Sequence, residues 1–340
     1  MAKVAINGMG RIGRATFKII MDTPGLELAA VNDLVPAENL AYLLKYDTVY
    51  GRYDRVVESG KDTLVVDGMS VKALSEKDPE KLPWRELGVE LVFECTGAFT
   101  KKPDLQKHIT AGAKYAILSA PSKDDEVITI VPGVNNPQKT PEVISCASCT
   151  TNCIAPVVEI IGRRIGFKKA VMTTVHAYTA SQMLVDTASR KMRRGRAGAA
   201  NLVPTSTGAA KAATKALPEY AGRFDGIAVR APVPVGSIAD LVFVLERRTT
   251  KEEVNGIFRE ESMGSRYEGI LGVSEDPIVS ADIIRDTRAS VVDLDMTQVV
   301  DGDLLKVMSW YDNEWGYSCQ MVREATRIFG ISVSAGRKAA

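Results

Sequence analysis

Apolar and polar positions follow two different rhythms along this 340-residue chain. In the first third, short apolar runs alternate with stretches of helical spacing. Lys3–Ile6 and Leu28–Val31 read as strands, and Arg11–Met21 and Ala37–Leu44 as helices. Leu91–Cys95 and Tyr115–Ser119 are continuous apolar runs of strand length. Strands that are apolar on both faces, and separated by helices, predict a parallel sheet covered on both sides. Leu64–Val71 differs, because its Asp67-Gly68 pair between apolar runs predicts a hairpin. Beyond about residue 150 the rhythm changes. A helix over Thr151–Arg164 precedes a strand at Lys169–Val175, and then comes an Arg-, Ala- and Gly-rich segment, Tyr178–Pro204. Later strands at Ile227–Arg230, Ile238–Glu246 and Leu305–Tyr311 surround a helix at Lys251–Glu261 and precede a last helix at Glu314–Phe329. That order predicts a largely antiparallel or mixed sheet with helices on one face.

Composition adds limits rather than detail. The chain is 45% apolar and 25% charged with a formal net charge of +1, which gives no global reason to expect nucleic acid or a membrane surface as main partner. The length suits two domains. The N-terminus reads as a first strand rather than a secretory leader. Five cysteines, three of them at Cys146, Cys149 and Cys153, argue for a reducing, cytoplasmic setting over a disulfide framework. A zinc site would want a fourth ligand near those three, and the two histidines, His108 and His176, lie elsewhere in the sequence, so no metal is expected.

Two signals carry chemistry. Gly8-Met-Gly10-Arg11-Ile12-Gly13 stands between a predicted strand and a predicted helix, and Asp33 ends the next strand. The glycines permit a tight turn, close approach of a pyrophosphate and close helix–strand packing, and the acid can accept hydrogen bonds from a ribose. This predicts a Rossmann-type, doubly wound domain that binds a dinucleotide. The second signal is Ser148-Cys149-Thr150 just before a helix, where the dipole favours a thiolate. His176 ends a predicted strand, so a nucleophile and a base stand at the ends of neighbouring elements. A buried, inert cysteine and a structural histidine are the alternative reading of the same residues.

Five segments in a fixed order then resemble phosphorylating glyceraldehyde-3-phosphate dehydrogenases over nearly the whole chain. They are Ile6–Arg14, Ala147–Cys153, Thr173–Thr179, Pro204–Lys211 and Ser309–Tyr317. The resemblance implies an oxidoreductase with NAD as cofactor, and NADP as a possible secondary one. It implies Cys149 as nucleophile forming a thioester and His176 as base. Gly8, Gly10, Arg11, Ile12, Gly13, Asp33, Thr96, Gly97, Ser119 and Asn313 would lie along the cofactor. Ser148, Thr150, Thr179, Arg194, Thr207, Gly208 and Arg230 would hold the substrate phosphate and the attacking inorganic phosphate. The implied assembly is a homotetramer in the cytoplasm, with Tyr178–Asn201 at a subunit interface. The implied domains are a dinucleotide-binding domain, 1–149 with the helix 314–334, and an α+β catalytic domain, 150–313. Alternatives are an erythrose-4-phosphate dehydrogenase and a silent dinucleotide-binding protein. Three departures stand out: Cys146 replaces a common Asn, Ser181 a common Asp, and Thr187-Ala188-Ser189 lacks the Leu-Pro pair of strictly NAD-dependent members.

Overall fold

The computed structural model describes residues 1–332. It divides into two compact units, Met1–Ile130 with Pro137–Ala147 and the chain from Met321 on, and Val131–Asn136 with Ser148–Gln320. The division falls inside the helix Trp315–Ile328, so that helix contributes to both units. Residues 333 and 334 of the expected 314–334 segment lie outside the described residues.

The first unit is built on a nine-stranded sheet. Its order is Ile128–Thr129, Val143–Ser145, Tyr115–Leu118, Leu91–Glu94, Ala2–Asn7, Leu26–Asn32, Met69–Leu74, Thr63–Val66 and Val57–Ser59. The first seven run parallel, and the last two add antiparallel hairpins at one edge. The central strand Leu91–Glu94 is buried throughout, as a continuous apolar run requires: Leu91, Val92 and Phe93 are inaccessible to solvent. The hairpin turn sits at Asp67 and Gly68, with φ of 49° and 80°, the two positive values that a tight two-residue turn needs.

The second unit carries a seven-stranded sheet. Its order is Val203–Ser206, Phe224–Ala231, Phe167–Ala177, Ser237–Leu245, Leu304–Tyr311, Ser290–Val300 and Leu271–Ser274. Most neighbours are antiparallel, but Leu271–Ser274 pairs with Ser290–Val300 in parallel, and so does Phe167–Ala177 with Phe224–Ala231, with His176 opposite Arg230. The strand Ser290–Val300 escapes the apolar pattern because it carries Asp293, which is buried and accepts a hydrogen bond from the Trp310 indole at 3.0 Å. The helix expected from Thr151 begins two residues earlier and spans Cys149–Arg164. Ser148 is its cap: its Oγ accepts the Thr151 backbone N–H at 3.1 Å, satisfying one of the donors that every helix start leaves open.

Gly13 is where the first unit tolerates no side chain. A Cβ there would stand 2.0 Å from the Gly8 carbonyl oxygen, a backbone atom that cannot step aside without opening the turn. Gly13→Ala is expected to cost about 1–3 kcal/mol or more by overpacking, read as a lower urea midpoint. An unchanged midpoint would show that the glycine turn relaxes freely.

Candidate active site

In the first unit, the helix Arg11–Met21 starts at Gly10, which offers no side-chain cap, and its first turn holds no acid. The open N–H groups and the positive end of the dipole make that start a place for an anion. A side chain at Gly10 would meet nothing within 4 Å, so the loop is open there, whereas Gly8 has φ 95° and its Cβ would fall 2.7 Å from the Thr96 nitrogen. Asp33 lies just past Leu26–Asn32 and accepts the Met9 N–H at 2.7 Å through Oδ2, which brings the carboxylate against the glycine loop. Arg11 bonds Asp47 at 2.6 Å, and Ile12 is half-buried beside it. Such a loop, an open helix start and an acid at the strand end fit an adenosine diphosphate moiety.

Thr96, Gly97 and Ser119 follow the strands Leu91–Glu94 and Tyr115–Leu118. The loop after the first of these is held at Thr96 by Glu94. Glu94 is wholly buried. Its Oε1 accepts the Thr96 N–H at 2.8 Å and the Thr96 hydroxyl; its Oε2 accepts Asn7 Nδ2 at 2.6 Å. His108 approaches Oε2 at 3.1 Å through Nε2. The Trp84 indole, which can only donate, reaches His108 Nδ1 at 3.1 Å, so Nε2 carries the ring proton and donates to Glu94. Asn7 accepts in turn from Asn32 at 2.7 Å. The signal for this network is an acid inside the otherwise apolar run Leu91–Cys95.

In the second unit, Cys149 is the first residue of its helix, and its Sγ lies 3.4 Å from His176 Nε2. The helix position favours a thiolate, but burial outweighs it and pushes the Cys149 thiol up, against the downward pull of the Arg230 charge and of hydrogen bonds at Thr150. Burial and the Arg230 charge lower His176 from 6.5 to about 3. Thiol and imidazole are therefore both neutral here. Arg230 Nη1 is 2.5 Å from His176 Nδ1, and its Nε is buried with no hydrogen-bond partner among the described residues.

The other expected residues of this unit have the following partners. Arg194 donates to Thr205 Oγ1 at 3.0 Å and to Ser181 Oγ at 3.2 Å, so Ser181 meets the arginine through a hydroxyl where an Asp would bring a charge. Thr179 Oγ1 lies 2.9 Å from the same Ser181 hydroxyl. Thr207 caps locally by accepting the Ala209 N–H at 3.1 Å, and Gly208 opens the helix Ala209–Ala216. Thr150 turns inward: its hydroxyl meets Tyr311 at 2.8 Å, and Tyr311 meets Thr174 at 2.8 Å. The Asn313 amide is oriented by Ser237, whose Oγ accepts the Ala177 N–H at 3.1 Å and so donates to Asn313 Oδ1 at 2.8 Å. That leaves the Asn313 Nδ2 as the donor end. Tyr311 and Ser237 were not singled out in the sequence; neither stands in a pattern of its own.

A dinucleotide-binding sheet domain, and a thiol and imidazole in contact beside a guanidinium, define an oxidoreductase of the kind that works through a covalent cysteine. Residues 2–102 match the glyceraldehyde 3-phosphate dehydrogenase NAD binding domain, and residues 148–313 its C-terminal domain. The chain is 49% identical over 324 residues to a glyceraldehyde-3-phosphate dehydrogenase of Streptomyces coelicolor, covering 94% of this chain and 96% of that one. It is 48% identical over 329 residues to that of Geobacillus stearothermophilus, covering 96% and 98%. Against glyceraldehyde-3-phosphate dehydrogenase 1 of Bacillus subtilis it is 47% identical over 329 residues, again 96% and 98%. The chain belongs to the glyceraldehyde-3-phosphate dehydrogenase family, and its cofactor is NAD.

The buried neutral imidazole has a consequence for stability. Its folded value, about 3, lies below the usual 6.5, so between those values the unfolded chain binds a proton that the folded chain does not. This group's contribution is present above pH 6.5 and is lost as pH falls toward about 3. His176→Asn is expected to flatten that part of the pH–stability curve. Parallel curves for the two proteins in urea titrations would contradict the assignment.

Proposed function

We propose that this protein oxidises glyceraldehyde 3-phosphate to 1,3-bisphosphoglycerate with NAD and inorganic phosphate. The observation that carries this is the 3.4 Å approach of Cys149 Sγ to His176 Nε2 beside two arginines, Arg194 and Arg230. The thiol of Cys149 adds to the aldehyde carbon and forms a thiohemiacetal. His176 takes the hydroxyl proton as the carbon is oxidised, which leaves an acyl thioester on Cys149. NAD, when bound, supplies the hydride acceptor. A phosphate oxygen then attacks the thioester carbon, the C–S bond breaks, and the Cys149 sulfur leaves as thiolate and regains its proton.

Charge-assisted hydrogen bonds suit the two anions this requires. Arg230, whose Nε has no partner among the described residues, and Thr179 would hold the substrate's own phosphate. Ser148, Thr150, Thr207 and Gly208 would serve the attacking phosphate, with Arg194 near both. Asn313 Nδ2 would hold the nicotinamide carboxamide, and Gly8, Gly10, Arg11, Ile12, Gly13, Asp33, Thr96, Gly97 and Ser119 the rest of the cofactor. A homotetramer is supported by the apolar surface that a single chain leaves open: Val171 and Ile227 on neighbouring strands are 60% and 52% exposed, and Leu184 is 84% exposed. Among the described residues no helix is long and apolar enough to cross a membrane, which accords with the cytoplasmic setting we infer.

The direct assay follows NAD reduction by glyceraldehyde 3-phosphate with and without inorganic phosphate. Sustained turnover that needs phosphate is the expected result; equal turnover without it would point to release of the acid by hydrolysis. Cys149→Ser is expected to abolish turnover, and His176→Asn to slow acylation by roughly 10²–10⁴-fold. Full activity in Cys149→Ser would move the nucleophile elsewhere.

Asp33 makes NAD the preferred cofactor. Its carboxylate accepts ribose hydroxyls and repels a 2′-phosphate, and like charges in a cleft cost several kcal/mol, against about one for a hydroxyl contact such as Thr187 or Ser189 offers. The ratio of kcat/KM for the two cofactors at one ionic strength is expected to favour NAD, and Asp33→Ala to narrow it. A wild-type ratio favouring NADP would make residues 187–189 the determinant.

A further inference from the structure

The hydrogen bonds around Glu94 all run toward it. A carboxylate accepts and does not donate. The Ala98 N–H donates to the Thr96 hydroxyl at 3.1 Å, and that hydroxyl and the Thr96 N–H both donate to Glu94 Oε1. The Glu76 N–H donates to Asn32 Oδ1 at 2.8 Å, Asn32 Nδ2 to Asn7 Oδ1 at 2.7 Å, and Asn7 Nδ2 to Glu94 Oε2 at 2.6 Å. The Trp84 indole donates to His108 Nδ1, and His108 Nε2–H to the same Oε2. Three chains of donors end on one carboxylate, which thereby decides which way round the Asn7 and Asn32 amides stand.

These chains reach the residues beside the expected cofactor contacts. Asn7 precedes Gly8, Asn32 precedes Asp33, and Thr96 precedes Gly97. The backbone ties the same strand ends together: the Gly8 N–H donates to the Asn32 carbonyl at 2.8 Å, and the Cys95 N–H to the Asn7 carbonyl at 2.7 Å. Gly8 also passes so close to Thr96 that a Cβ on it would fall 2.7 Å from the Thr96 nitrogen. A shift at one of these loops is therefore felt at the others. An amide could not take the place of the carboxylate. If its NH2 faced Thr96 it would oppose a backbone N–H, and if it faced Asn7 and His108 it would oppose two donors at once.

We infer that Glu94 is a positioning residue for the dinucleotide: by gathering three chains of donors it sets the glycine loop, Asp33 and the Thr96–Gly97 loop in their binding arrangement before the cofactor arrives. Glu94 is inaccessible to solvent, so it acts only through Asn7, Asn32 and Thr96. Loops fixed in advance need not be ordered when the ligand binds, and the affinity gained is lost when their support is removed. The inference rests on the placement of the cofactor proposed above.

The test is equilibrium binding of NAD, and of ADP-ribose, which lacks the nicotinamide, to the full chain by calorimetry, with urea midpoints measured alongside. Glu94→Gln is expected to weaken both ligands at least about tenfold, the scale of one hydrogen bond to a charged group. The KM for NAD is expected to rise by the same factor, while kcat at saturating NAD stays within about twofold. Leu64→Ala, a truncation of a fully buried side chain in the hairpin of the same unit, is the control: its urea midpoint falls and its affinity for both ligands does not change. Asn7→Asp sets two carboxylates face to face and is expected to weaken binding as Glu94→Gln does. The two substitutions together exchange the acceptor and the donor, and are expected to bind both ligands more tightly than either alone, a recovery that lost packing would not give. Asn32→Ala removes a link of the longest chain without opposing two donors. It is expected to weaken ADP-ribose severalfold, and it carries the test if Glu94→Gln does not fold. ADP-ribose bound with wild-type affinity by folded Glu94→Gln, or in its absence by Asn32→Ala, overturns the inference, as does binding that falls only in step with the urea midpoint across all variants, Leu64→Ala included. Asp33→Ala separates the two readings. Normal ADP-ribose binding in that variant refutes the cofactor placement, whereas weakened binding there beside normal binding in Glu94→Gln refutes only the role of Glu94.

Discussion

The parallel pairing of Phe167–Ala177 with Phe224–Ala231 is the constraint around which the second unit is arranged. Two parallel neighbours cannot be joined by a tight turn; the chain must cross over and come back. Here the crossover runs from Ala177 to Phe224 and carries Thr179, Ser181, Arg194, Thr205, Thr207 and Gly208. The same pairing sets His176 opposite Arg230. An imidazole and a guanidinium therefore meet at one sheet end because of a single topological choice. The antiparallel strand Ser237–Leu245 completes the arrangement from the other side, where Ser237 links the Ala177 N–H to Asn313.

Desolvation sets the chemical state of what is brought together there. A cysteine at a helix start beside an arginine has two reasons to ionise, yet burial keeps its thiol above the ordinary value. The nearby imidazole is neutral for the same reason, reinforced by the guanidinium. The first unit solves the opposite problem. Glu94 is buried among donors from Asn7, Thr96 and His108, so a polar group that would be costly alone instead fixes the loop that follows its strand.

What could be read from the sequence followed what is local. The parallel strands, the Asp67-Gly68 turn, the glycine loop and the juxtaposition of Cys149 with His176 all have signatures within a few residues, and the structure has the elements in those places. Ser148, which the resemblance puts with the phosphate ligands, is also the helix cap, and so the helix starts two residues before Thr151. The strand Ser290–Val300 is hard to read because Asp293 breaks its apolar rhythm; the carboxylate is tolerated because it accepts the Trp310 indole and the Met296 N–H. Glu94 with His108 and Trp84, and Tyr311 with Thr150 and Thr174, were invisible for a related reason. Their partners are far away in sequence, and no spacing rule connects them.

The strand Leu304–Tyr311 lies inside its sheet, between Ser237–Leu245 and Ser290–Val300, although it comes almost last along the chain. It brings Tyr311, which joins the hydroxyls of Thr150 and Thr174. During synthesis the sheet therefore keeps a gap beside Ser237–Leu245 until Leu304–Tyr311 has been made. Cys149 emerges long before the residues that frame it. A nascent or truncated chain thus carries the thiol without its setting, and the chemistry of the finished protein begins only when the penultimate element closes the sheet.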